Sequence, residues 1–90
     1  MKFLTNRFRS GDTTTDTYMV MDAPTMPITI TARAMDFQPE QVIVYRTGGR
    51  FRQMEISGPT IGHEGFNTIR RFDRERDVPE WARTYLAEDN

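Results

Sequence analysis

Hydrophobic and polar positions alternate in short runs separated by glycine and proline, a pattern that predicts several short strands. The clearest run is QVIVYRT-GG-RFRQMEIS, where two β-rich stretches flank Gly48 and Gly49. A Gly-Gly pair suits a two-residue primed hairpin turn, because both central residues then take φ > 0. With that turn Thr47 faces Arg50, Arg46 faces Phe51 and Tyr45 faces Arg52. Val44 then lies opposite Gln53, Ile43 opposite Met54, Val42 opposite Glu55 and Gln41 opposite Ile56. Both faces of such a hairpin are partly apolar: Ile43, Tyr45, Met54 and Ile56 on one, Val42, Val44 and Phe51 on the other. A slip of one residue would exchange the faces.

Around this hairpin the remaining elements fall into place. Residues 18–21 read as a short strand closed by Pro24 and Pro27. Residues 28–35 (ITITARAM) read as another, with Ile28, Ile30, Ala32 and Ala34 on one face. Residues 66–73 supply a further strand. Residues 1–9 could form a short edge strand or an arm, and residues 10–17 (SGDTTTDT) read as a polar loop or mobile linker, which would leave 1–17 as a flexible N-terminal arm. Residues 58–65 (GPTIGHEG) read as a connecting loop whose glycines serve φ > 0 positions.

The C-terminus carries a helix over 78–88. Asp77 and Glu80 fit a capping box, with Pro79 in the first turn. Val78, Trp81, Ala82, Tyr85 and Leu86 follow the spacing of a buried stripe, and Trp81→Ala is the substitution expected to unfold the chain. The expected architecture is α+β: one domain over 1–90, an antiparallel meander of three to five strands with a single C-terminal α-helix packed on the sheet. One helix covers one face of a sheet. The other face must be covered by the N-terminal 35 residues or by another chain, and this marks Val42, Val44, Arg46, Phe51, Gln53, Arg70 and Phe72 as the expected interaction surface.

Composition narrows the function. The 90 residues are 37% hydrophobic and 28% charged, with ten aromatics, which is globular rather than disordered. There is no cysteine, so disulfides, thiolate zinc sites and a cysteine nucleophile are excluded. No stretch reaches the roughly 18 apolar residues of a membrane span, and the first residues lack a signal-peptide core; a cytoplasmic protein is expected. The net charge of −1 steers the chain toward neither nucleic acid nor acidic partners. Eleven of the twelve basic residues are arginine, a bias that fits a GC-rich genome.

Candidate chemistry is sparse. His63 is the only histidine, and neither a metal-ligand spacing nor a nucleophile elbow accompanies it. The glycines of residues 58–65 match no phosphate-binding pattern. The carboxylates Asp73, Glu75 and Asp77 alternate with Arg74 and Arg76, as on a solvated strand end. No catalytic, cofactor or metal site is expected. Arginines interleaved with aromatics (Arg46, Phe51, Arg70, Arg71 and Phe72) suggest a second reading, a sheet face that stacks bases and contacts phosphates. The pI near 5.8 runs against it.

The second half of the chain resembles small proteins of actinobacteria and their phages. The residues carrying the resemblance are Ile56-Ser57-Gly58-Pro59 at a strand end and Asp77-Val78-Pro79-Glu80-Trp81 at a helix start. Those proteins mostly have no assigned activity, so the resemblance carries over no functional residue. It implies a phage-encoded, non-enzymatic module that binds or inhibits a host defence or regulatory protein. A nucleic-acid-binding accessory protein and a self-assembling or virion component are the alternatives.

Overall fold

The computed structural model describes residues 2–30 and 33–88. Strands β1 (Phe3–Ser10), β2 (Thr13–Met19), β5 (Gln41–Thr47), β6 (Arg50–Pro59) and β7 (Asn67–Phe72) form one antiparallel sheet in the order β1-β2-β5-β6-β7. Between β2 and β5 the chain makes a separate two-stranded hairpin of β3 (Met26–Ile30) and β4 (Arg33–Phe37). A short 3-10 turn (Glu75–Asp77) and a 3-10 helix (Glu80–Leu86) follow the last strand. The architecture is α+β, as the patterning predicts, with the single helix near the C-terminus.

The Gly48-Gly49 turn forms as expected, with φ of 58° and 77° and Thr47 paired with Arg50. Two residues further on, the register departs from expectation. Arg46 pairs with Phe51, but Tyr45 pairs with Gln53, leaving Arg52 as an extra residue in β6. This β-bulge shifts every later pair by one: Val44 meets Met54, Ile43 meets Glu55, Val42 meets Ile56 and Gln41 meets Ser57. The side-chain period is two, so the shift brings Val42 and Val44 onto the same face as Met54 and Ile56. The hairpin therefore gathers most of its apolar residues on one face and leaves Ile43 and Tyr45 on the other.

The face with Val42 and Val44 is the floor of the core. Tyr18, Val42, Val44, Met54 and Ile56 are fully buried on it, and Phe72 joins them from β7. The roof is made by two pieces. The β3–β4 hairpin contributes Met26, Phe37 and Ile28, while the C-terminal segment contributes Val78, Ala82 and Tyr85. Tyr85 packs its ring against Tyr18 at 5.0 Å between centroids.

Several local expectations are corrected. Residues 10–17 are not a flexible linker. Gly11 (φ 61°) and Asp12 turn the chain between β1 and β2, and β2 is paired on both sides. The Gly48 amide donates to the Asp12 carbonyl at 2.8 Å, tying the two hairpin tips together. Residues 28–35 are not one strand but parts of two that fold back on each other, Ile28 pairing with Met35. Thr31 and Ala32 lie outside the described residues.

Gly58 is not a loop glycine either. It sits buried inside β6, under the segment that crosses from β4 to β5. The Gln38 amide donates to the Pro59 carbonyl at 3.0 Å, and the Glu40 amide to the Ser57 carbonyl at 2.8 Å. A Cβ at Gly58 would overlap the Gln38 carbonyl. Close approach of two backbones requires this glycine, whereas Gly62 and Gly65, with φ of 84° and 85°, do serve the loop.

The C-terminal helix is 3-10 rather than α, and it has no capping box. Asp77 belongs to the preceding 3-10 turn, and Pro79 caps the helix with extended backbone and no side-chain bond. Ala82 and Tyr85, three apart, face inward as a three-residue turn requires. Trp81 and Leu86 are half-buried at the rim of the core. Trp81→Ala is thus no longer the substitution that should unfold the chain.

Candidate interaction surface

The sheet has a second face, and its composition follows from the same pairing. Three cross-strand rows run over it: Phe8, Thr15, Tyr45 and Gln53; then Asn6, Thr17, Ile43, Glu55 and Arg71; then Phe3, Met19, Gln41, Ser57 and Ile69. Every one of these positions is half-buried or exposed. Phe8 is 61% exposed, Ile69 65% and Met19 45%. Antiparallel sheets commonly leave one face in water, but three large apolar side chains standing that far out among threonines and glutamines make a mixed surface suited to protein contact.

Part of this face is held rigid. The Tyr45 hydroxyl donates to Glu55 Oε1 at 2.7 Å, and Arg71 Nη2 donates to Glu55 Oε2 at 3.1 Å. The hydrogen bond to Glu55 is the first cause that holds the Tyr45 phenol above its usual value of about 10, with burial second. Burial raises Tyr85 in the same direction. The fold thus favours the protonated phenol at both positions. Their stabilisation is fully present below about pH 10 and is lost as pH rises through the raised values. We expect stability to fall in alkaline solution. A phenolate absorbance titration should show one late tyrosine fewer in Tyr45→Phe than in the wild type.

The residues expected to form the interaction surface lie mostly elsewhere. Val42 and Val44 are fully buried, Phe72 is buried, and Phe51 packs against the core. Of that set only Gln53 sits on the open face. The physical reason is the bulge at Arg52, which collects the apolar positions of the hairpin on the inner side. Arg46 is buried too. Its Nη1 donates to Asp16 Oδ2 at 3.2 Å, and its Nη2 donates to the carbonyls of Tyr85 and Leu86 at 3.1 and 2.8 Å. Arg7 completes the cluster from β1, with Nε at 2.7 Å and Nη2 at 3.1 Å from the two oxygens of Asp16. Asp16 and Arg7 hold one another in place, and the hydrogen bond to Asp16 is the largest cause that raises the Arg7 guanidinium above its ordinary value.

Arg70 lies on the inner side of β7, its guanidinium 5.0 Å from the centre of the Phe72 ring and its Nη1 donating to the Pro27 carbonyl at 3.3 Å. Arg71 points the other way, to Glu55. The arginine and aromatic positions offered as a nucleic-acid surface are therefore split between two faces, and Arg46 is engaged in the interior.

The positions that do form the open face include several that sequence reasoning missed: Phe3, Phe8, Thr15, Thr17, Met19 and Ile69. The alternation T-x-T-x-M of residues 15–19, behind the Gly11-Asp12 pair, is the signal that could have found the β2 part of them. His63 and Glu64 are exposed in the turn before β7. Among the described residues no group of three or more His, Cys, Asp or Glu side chains is placed to hold a metal ion, and no helix is long and apolar enough to cross a membrane. No protein-family model matches the chain, and no curated protein or solved structure matches it.

Proposed function

We propose that this chain is a non-enzymatic protein-interaction module that docks the open face of its five-stranded sheet on another protein. The observation that carries the reading is the contrast between the two faces. One is closed by the β3–β4 hairpin and the C-terminal helix, and the other leaves Phe8, Met19 and Ile69 in solvent around the half-buried Ile43 and Tyr45. Contact of this kind buries apolar side chains at a centre and leaves polar groups at the rim. On this face Ile43 and Tyr45 supply the apolar centre on β5, while Phe3, Phe8 and Ile69 extend apolar contact to the edge strands and Glu55 and Arg71 already neutralise each other. A host protein as partner, met in the cytoplasm by a phage-encoded chain, belongs to the same proposal. It is supported by the resemblance of Ile56-Ser57-Gly58-Pro59 and of Asp77-Val78-Pro79-Glu80-Trp81 to small actinophage proteins.

The test compares the wild type with Ile43→Asp and Thr17→Glu in affinity capture from lysate of a GC-rich Gram-positive host, with nuclease and at raised salt. The expected result is a defined protein retained by the wild type under both conditions and lost with both variants. Binding that collapses with salt or nuclease would overturn the reading, because phosphate contacts, unlike an apolar interface, weaken steeply as salt rises.

A further inference from the structure

Resting on the reading of the open face as a protein interface, we infer that in the free protein its occupant is a second copy of this chain, packed face to face about a two-fold axis running along β5.

Charge is distributed unevenly over the face. Its charged side chains, Arg52, Glu55, Arg71 and Asp73, all lie on the β6–β7 half. The β1–β2 half is neutral, with Asn6, Phe8, Thr15, Thr17, Phe3 and Met19. A two-fold axis along the central strand lays each half over the other half of the partner. Like charges then never meet: Glu55 and Arg71 of one copy oppose neutral Thr17 and Asn6 of its partner. A two-fold axis across the strands would instead stack Glu55 on Glu55 and Arg71 on Arg71. Isologous contacts must be self-complementary, and this face satisfies the condition for one axis and violates it for the other.

The apolar side chains fit the same operator. Ile43 and Tyr45 stand on the axis itself, so each meets its own copy at the centre. Ile69, exposed at one edge, comes over Phe3 and Met19, exposed at the other. Aligned sheets pack about 10 Å apart at an angle near −30°, so the match holds closely near β5 and half against half toward the edges.

The size of the face sets the strength. Five strands about 4.8 Å apart and seven residues long give a footprint of roughly 550 Å². Side-chain relief raises the accessible area buried, but it stays near or below the roughly 800 Å² per partner of a standard interface. With threonine and glutamine interspersed, the dimer should be reversible, with a Kd on the order of micromolar. Such a dimer would shield the face and release it to a tighter partner.

The experiment is sedimentation equilibrium of the intact chain over a dilution series. Circular dichroism checks that each variant is folded. The wild type is expected to pass from monomer to dimer. Thr17→Glu, which sets a carboxylate against the partner's Glu55, should weaken dimerisation by roughly tenfold or more, on the scale of one desolvated like-charge contact. Thr17→Lys should leave the dimer as strong or stronger, and Ile61→Asp, in the loop before β7, should leave it unchanged. A wild type that stays monomeric throughout would overturn the second copy as occupant, while the capture of a partner that depends on Ile43 would still stand. A dimer weakened equally by Thr17→Glu and Thr17→Lys would overturn the axis, and with it the inference. A dimer indifferent to both would place self-association on another surface and overturn the inference outright.

Discussion

Asp16→Ala should destabilise the fold by about 3–5 kcal/mol, the loss typical when one partner of a buried ion pair is removed. Asp16 has no exposed surface, and both its oxygens are engaged, by Arg7 from β1 and by Arg46 from β5. Without the carboxylate, Arg46 would keep its charge inside the protein with only the carbonyls of Tyr85 and Leu86 as acceptors. Those two bonds also tie the C-terminal helix to β5, so the arginine that anchors the helix would lose the carboxylate that positions it. Urea unfolding followed by far-UV circular dichroism measures the effect directly. The double variant Asp16→Ala/Arg46→Met should recover part of the loss, because an apolar side chain of similar length does not need a counter-charge. A change under about 1 kcal/mol for the single variant would mean that the cluster is solvated rather than buried.

Gly58→Ala is the second substitution with a large expected effect. The added methyl would overlap the Gln38 carbonyl, a backbone atom that two flanking hydrogen bonds hold against β6. Overpacking of a closed site costs typically 1–3 kcal/mol, and with backbone on both sides the upper end, about 3 kcal/mol, applies. The crossing segment also carries Pro39, which is fully buried, and Phe37 at the end of β4, so relief by moving it would open the core. Gly62→Ala in the loop makes the comparison. There the strain is confined to the φ of 84°, with no atom near the new methyl, and the loss should be about 1 kcal/mol. Equal losses for the two would show that the backbone approach at Gly58 is not tight.

How far the chain could be read in advance depends on where its structural information is local. The Gly48-Gly49 turn was legible because two adjacent glycines specify positive φ without help from anything distant. The bulge at Arg52 was not, because it arises from the need to bury Met54 and Ile56 together with Val42 and Val44, and burial is a property of the assembled sheet. One unseen residue reversed the pairing of faces and sent the expected interaction surface into the core. Strand β2 was hidden for a related reason. It is flanked by strands on both sides, yet its inward positions are Asp16 and Tyr18 and its outward ones threonine, so no hydrophobic alternation marks it. The inward face of the C-terminal helix was legible, since Ala82 and Tyr85, three apart, share a face whether the turn has 3.0 or 3.6 residues. Its type was not, because the carbonyls that end it are satisfied by Arg46, nearly forty residues away.

The central claim is that the open sheet face is where this chain meets protein. Hydroxyl-radical footprinting of the dilute protein, the concentrated protein and any captured complex tests it most directly. Labelling of Phe8, Met19, Tyr45 and Ile69 should fall on association, while Ile61 and His63 in the loop stay reactive and Met54 stays protected throughout. Protection confined to that loop, or unchanged labelling of Met19 and Ile69 in a verified complex, would contradict the claim.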